Sequence, residues 1–188
     1  MATNNVLQKT GTVLIFADST YSPGSNTTLG TRTDDIDCVG LTTAQAREGV
    51  KADLGAVHAG LFRVDMTTEL ASDPAAGGSM DLYWAESHSA TAAVGNWAGL
   101  TGADADYAGY SGHTLAESLR QLTYIGSLPI GVQNTADGVV IGPVGVFTAV
   151  QRYGVLVVHN NTSVTLHSDS IEMAVRFTPV FPDIAAAV

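Results

Sequence analysis

Charged residues are scarce in this sequence, and basic residues are the scarcest. Only 14% of the 188 residues are charged, against about 25% in an average globular domain. Lys and Arg number 8 against 18 Asp and Glu, which gives a formal net charge of −10. Proteins bind DNA, RNA and anionic membranes largely by neutralising phosphates with Lys and Arg. We therefore expect neither a nucleic acid nor a membrane as a partner.

Cysteine and long apolar runs are also lacking. Cys38 is the one cysteine, so no disulfide forms within the chain, and we expect its thiol to act as a small apolar side chain. No apolar run approaches the ~20 residues of a membrane span. The first residues, Met1–Asn5, lack the basic and apolar regions of a secretory signal. We expect a protein that is made in a cytoplasm and not exported.

The length and hydropathy of the chain fit one domain. Hydrophobic residues make up 45% of the sequence and the mean hydropathy is +0.18, which excludes bulk disorder. A compact fold of this size buries roughly 70% of the surface of its unfolded chain. We expect an N-terminal arm at 1–10, a single domain at 11–182 and a C-terminal tail at 183–188, because the chain is polar before residue 11 and has a proline at 182.

Alternation of apolar and polar residues dominates the rest of the sequence and predicts β-strands. It is clearest at 50–54, 62–67, 80–85 and 171–178, where the last segment is expected to end at Pro179 and Pro182. In the last segment Ile171, Met173, Val175 and Phe177 should share the face that packs on the core. We count eight to ten strands and no βαβ alternation, which predicts an all-β fold, an antiparallel β-sandwich of jelly-roll type.

One helix and two long loops interrupt the strands. Thr114 and Glu117 form a capping box, and Leu115, Leu119 and Leu122 share one face, which predicts a short helix at about 114–122. Residues 19–35 and 98–113 have the composition of long loops.

Local motifs with catalytic or metal-binding potential are incomplete. Ser111 lies in a Gly-Tyr-Ser-Gly-His stretch, but His113 stands where a hydrolase nucleophile elbow has its second glycine. Asp104 and Asp106 match the start of an EF-hand calcium loop, whose final Glu is replaced by Leu115. An EF-hand is thus excluded, while an irregular cation site at the two aspartates stays open.

The histidines and exposed aromatic residues give no firmer assignment. The histidines lack the spacing of a metal site, although His159 and His167 could face each other across a turn. Tyr107 and Tyr110 are candidate contact residues, with packing inside the loop as the alternative. We assign no catalytic, cofactor or metal residue and expect a protein that is not an enzyme. The histidines are His58, His88, His113, His159 and His167.

Seven segments in the last three quarters of the chain carry a resemblance to a known family. They are KADLG (51–55), DLYWAES (81–87), GLTGADA (99–105), LAESLRQL (115–122), VGVF (144–147), RYGVLVV (152–158) and HSDSIEM (167–173). In this order they resemble the small structural proteins of tailed-bacteriophage virions, of the capsid decoration or cement type. None of the segments is a catalytic motif.

The resemblance implies a jelly-roll-like protein on the capsid surface of a virion, assembled in the host cytoplasm. Its partners would be the major capsid protein and further copies of itself, expected to form a homotrimer. Two alternatives stay open, namely a component of the tail or of the head–tail connector, and a carbohydrate-binding β-sandwich module.

Overall fold

The computed structural model describes residues 6–10, 13–55, 60–74, 77–131, 138–169 and 171–184, with the backbone alone at 6–10 and 181–184. His58 lies outside these ranges. The regular elements are β1 (Val6–Thr10), β2 (Leu14–Ala17), β3 (Asp34–Asp35), β4 (Ala46–Asp53), β5 (Leu61–Glu69), β6 (Gly78–Ser87), a 3-10 turn (Trp97–Gly99), β7 (Ala105–Tyr107), α1 (Leu115–Leu119), β8 (Thr123–Ile130), β9 (Val139–Thr148), β10 (Tyr153–Asn161) and β11 (Ala174–Ile184).

The strands form one mixed sheet that curls around a core. Its order is β3-β2-β11-β5-β9-β8-β6-β10-β4-β7, and β1 pairs with the end of β11. All named pairs are antiparallel except β2 with β3, which is parallel. The sheet curls far enough that Asp37 near one end donates its N–H to Asp104 beyond the other, at 3.0 Å. The all-β prediction is confirmed, and the expectation of a purely antiparallel sheet is wrong at β2–β3.

An aromatic cluster fills the inside of the curled sheet. Phe177 on β11 contacts the rings of Phe16, Phe62, Trp84 and Phe147, with centroid distances from 5.0 to 6.1 Å. These rings come from strands that are not all neighbours, so they join opposite sides of the curl. Inward positions are confirmed in three of the four alternating segments, because each of the following is at most 4% exposed: Phe62, Val64, Met66, Met80, Leu82, Trp84, Met173, Val175 and Phe177. The prediction is wrong for Ile171, which lies in the turn before β11 and is 37% exposed, and in the segment 50–54 only Ala52 is fully buried.

Two details of the predicted elements are wrong. The last strand does not end at its prolines but continues through Pro179 and Pro182 to Ile184, because beyond Val180 it leaves β5 and pairs with β1. A proline removes a hydrogen bond from one edge of a strand only. The helix ends at Leu119 and not at residue 122, since the next residues make i→i+3 bonds that tighten its last turn.

Charged side chains hold the long connections against the sheet. The carboxylate of Glu48, which is 2% exposed, accepts the N–H groups of Thr101 and Gly102. The ammonium of Lys51 donates to three loop carbonyls, those of residues 89, 91 and 94. A buried charge is tolerated only when it is hydrogen-bonded in this way, so these contacts fix the path of the loop between β6 and α1.

The outer side of the sheet is partly covered. Helix α1 and the loop before it pack on β4, β6 and β10 through a second apolar cluster around Leu119, Leu122 and Val157. The loop of residues 18–33 covers β2 and β11 through Leu29 and Tyr21. None of the helices in the described ranges has the length and hydropathy needed to span a membrane.

Candidate functional site

A polar cluster lies on the outer face of three adjacent strands, β8, β6 and β10. Asp81 on β6 is paired in register with Ser127 on β8 and with His159 on β10. Residues that are directly opposite in an antiparallel pair point to the same side of the sheet. Because Met80 and Leu82 face the core, Asp81 and its two partners face outward.

Asp81 is the centre of a hydrogen-bond network and is only 8% exposed. Its Oδ1 accepts from the hydroxyl of Ser79, at 2.7 Å, and from that of Ser127. Its Oδ2 accepts from Asn161 Nδ2 at 3.2 Å and lies 3.8 Å from Nδ1 of His159. Three direct donors and a nearby imidazole thus surround one carboxylate.

These contacts decide the charge of Asp81. Burial acts to raise the pKa of the carboxyl, but the contacts with His159, Ser127 and Ser79 outweigh it and lower the pKa to about 2. Asp81 is therefore ionised at neutral pH and presents a fixed acceptor. Nδ1 of His159 is buried and makes no direct hydrogen bond within the described residues.

The network forms the floor of a cleft of about 970 Å³. One wall is α1, which the predicted capping box positions: Thr114 Oγ1 accepts from the Glu117 N–H, and the Glu117 carboxylate accepts from the Thr114 N–H. Tyr83 and Tyr124 add an aromatic surface, with ring centroids 5.3 Å apart. The cleft also contains Ala44, Leu115, Ala116, Leu119, Arg120 and Leu122.

The geometry suits binding and differs from that of a Ser-His-Asp triad. In such a triad the serine hydroxyl bonds to the histidine, whereas Ser127 donates to Asp81 and also bonds to the hydroxyl of Tyr124. The cleft offers a carboxylate, an amide and hydroxyl groups beside two tyrosine rings, one of which, Tyr124, is 54% exposed. A ligand with several hydroxyl groups and an apolar face would match it.

Apart from His159, the candidate residues named from sequence lie outside this network. Ser111 is in an exposed turn that precedes α1. His113 donates its N–H to the Tyr110 carbonyl at 2.9 Å and stacks on the Tyr110 ring. Tyr107 is buried and donates its hydroxyl to the Ala98 carbonyl at 2.8 Å, so of these two tyrosines only Tyr110, which is 49% exposed, is accessible to a partner.

Asp104 and Asp106 both bind Arg47. The guanidinium Nε lies 2.7 Å from Asp104 Oδ1, and an Nη atom lies 2.9 Å from Asp106 Oδ1. The second oxygen of Asp104 accepts the Asp37 N–H. The possible cation position is thus taken by an arginine of this chain. Cys38 is 2% exposed and burial raises the pKa of its thiol, so it is placed as an apolar side chain.

The histidines that the structure describes contact different residues. His88 is exposed, His159 joins Asp81, and His167 lies beside Glu69 and Asp169. The Asp81 network could not be predicted from the sequence, because its members come from three strands and meet only through the register of those strands. The alternation at 80–85 placed Asp81 on the outer face, but nothing local indicated which strands flank β6.

Comparison with known proteins found no matching family model, no matching curated protein and no matching solved structure.

Proposed function

We propose that this protein is a non-enzymatic structural protein of a tailed-phage virion, which binds the outer surface of the capsid and reinforces the head. Its partners are the major capsid protein and copies of itself in a trimer, and it is assembled in the host cytoplasm. The predicted jelly-roll-like sandwich stays part of this proposal, since a sheet with strands on opposite sides of one core fits it.

An uncovered apolar strip on the outer face is the observation that supports the proposal best. The strip consists of Leu61, Ile141, Pro143, Val146 and Val150. The exposed fractions of Ile141, Val146 and Val150 are 46, 58 and 72%. Val146 and Val150 face outward because Phe147 and Ala149, at the alternate positions, are in the core. The register shift of β9 opposite Val64 and Asp65 brings Pro143 and Ile141 to the same outer face. Exposed apolar surface of this kind marks sites of protein contact.

The charged side chains beside the strip pair with each other, which favours a contact that does not depend on ion pairs with the partner. Arg63 on β5 is opposite Val146, and its guanidinium pairs with Asp65 at 2.7 Å. A capsid contact through this face would thus depend on apolar area and little on net charge. Symmetry would multiply each weak contact through avidity, and binding should weaken only modestly in high salt.

Virions from the host that produces this chain provide the test. A reconstruction should place the protein on the capsid lattice, and Val146→Glu should lower its occupancy while the variant stays folded. Val94→Glu is the matched control, because Val94 is 49% exposed and lies outside the strip. A protein found only along the tail would support the connector alternative, and absence from purified virions would refute the proposal.

The Asp81 cleft favours the carbohydrate-binding alternative as a second candidate function. Its polar floor and two tyrosine rings are the groups that hold the hydroxyls and the apolar face of a sugar. Binding to a glycan array should be lost in Asp81→Asn and in Tyr124→Ala. It should persist in Tyr110→Ala, the other tyrosine exposed to a similar degree. No glycan bound by the unmodified protein would exclude this candidate.

A further inference from the structure

We propose that Glu69, His167 and Asp169 form a binding site for a divalent transition-metal ion such as Zn²⁺. Glu69 is the last residue of β5, and the other two lie after β10. One ligand atom of each side chain lies within 4.8 Å of those of the other two. The site is separate from the cleft and the strip, and it does not depend on the capsid proposal.

The backbone holds the three side chains together. Leu70 and Leu166 form an antiparallel bridge, which brings the end of β5 beside the segment after β10. The His167 N–H donates to the Glu69 carbonyl at 3.0 Å, and the His167 carbonyl accepts from the Gly40 N–H at 2.9 Å. Both the N–H and the carbonyl of His167 are thus hydrogen-bonded, which fixes the backbone of this residue beside Glu69.

The distances fit a small cation. Nδ1 of His167 lies 3.3 Å from Asp169 Oδ1 and 3.8 Å from Glu69 Oε2. With bonds of about 2.0–2.2 Å in a tetrahedral site, ligand atoms are about 3.4 Å apart. The two distances from Nδ1 differ from this value by a few tenths of an ångström, and the Glu69 and Asp169 oxygens lie within 4.8 Å of each other. The Asp169 N–H lies 3.4 Å from Nδ1, and this weak contact would yield to the stronger metal bond.

The ligand types select the class of metal. Imidazole nitrogen binds Zn²⁺, Cu²⁺, Fe²⁺ and Ni²⁺, whereas Ca²⁺ and Mg²⁺ prefer oxygen ligands throughout. The side chains of Glu69 and His167 are 13 and 23% exposed, and that of Asp169 is 47% exposed. Water can therefore reach the site from the Asp169 side and fill the remaining coordination position.

Metal titration of the full chain, without a histidine tag and after chelator treatment, tests the proposal. Calorimetry with ZnCl₂ should give one ion per chain. At about a hundredfold excess over Kd, the melting temperature should rise by about 5–10 °C. His167→Ala and Asp169→Asn should abolish both effects. His88→Ala should retain them, because His88 is an exposed histidine elsewhere in the chain.

Three results would overturn the proposal: no heat and no thermal shift with ZnCl₂, the same response in His167→Ala as in the unmodified protein, or an equal shift with MgCl₂. If a variant fails to fold, nitrogen NMR of the unmodified protein decides. Zn²⁺ should move the imidazole resonances of His167, and movement at another histidine alone would refute the assignment.

Discussion

Replacing Asp81 by Asn should remove a pH-dependent part of the stability of this protein. The pKa of Asp81 is about 2 in the folded chain, against 3.8 for an unperturbed aspartate. The folded state therefore binds the proton less tightly than the unfolded state. The ionised carboxylate stabilises the fold above the unfolded pKa, and this stabilisation is lost as the pH falls from 3.8 towards 2.

The expected magnitude follows from these two pKa values. Their difference corresponds to about 2 kcal/mol of unfolding free energy at pH 5. For a chain of this size that is about 4–8 °C in melting temperature. Urea denaturation of the unmodified protein and of Asp81→Asn, measured from pH 5 to pH 2, gives the difference between the two at each pH. That difference should shrink by about 2 kcal/mol over this range.

The control separates Asp81 from the general effect of removing one negative charge. Asp73 is an exposed aspartate, and Asp73→Asn makes the same change in net charge without touching the network. A stability difference between the unmodified protein and Asp81→Asn that stays constant from pH 5 to pH 2 would refute the reasoning. It would mean that the hydrogen bonds to Asp81 do not favour its ionised form.

Four further substitutions test the core, the helix and the exposed turn. Gly154→Ala should destabilise by about 1–3 kcal/mol, since its Cβ would lie 2.2 Å from the ring of Trp84; denaturation that matches the unmodified protein would contradict the packing. Phe177→Ala should cost about 3–5 kcal/mol, measured in urea, because it empties the centre of the aromatic cluster. Thr114→Ala should cost about 1 kcal/mol through loss of the helix cap, and an unchanged urea midpoint would argue against the cap. Ser111→Ala should leave folding and virion infectivity intact, and loss of infectivity with normal assembly would point to catalysis.

The strands could be predicted from the sequence because their periodicity is local. Met80, Leu82 and Trp84 alternate with polar residues, and burial of one set requires a strand whatever its neighbours are. The capping box at Thr114 likewise located the start of α1. The end of the helix was less well defined, since Leu122 continues the apolar face although the backbone has already tightened into a turn.

The order in which the strands pair could not be predicted from such local patterns. A glycine pair shows why: Gly126 and Gly145 bring β8 and β9 together, and a Cβ at Gly126 would lie 2.3 Å from the Val144 carbonyl oxygen. Each glycine reads as an ordinary turn or bulge residue on its own, and their meaning depends on meeting each other. The same holds for Glu69 and His167, which are far apart in sequence and are joined by the Leu70–Leu166 bridge and by the hydrogen bond from the His167 N–H to the Glu69 carbonyl.

The curl of the sheet explains why binding sites would lie on its outer side. The inside is filled by aromatic rings that join strands on opposite sides and pack closely against one another. The outer side is long enough that α1 and the loop of residues 18–33 cover only parts of it. The Asp81 cleft at the edge of α1 and the apolar strip around β9 lie on the parts of this side that they leave open. The two surfaces use different strands and different chemistry, because one is an ionised hydrogen-bond network and the other is neutral and apolar.

Val146→Glu should therefore weaken a protein contact without changing the cleft, and Asp81→Asn should change the cleft without weakening that contact. If each substitution impaired both properties, the two surfaces would be coupled through the sheet, and the assignment of separate roles to them would fail.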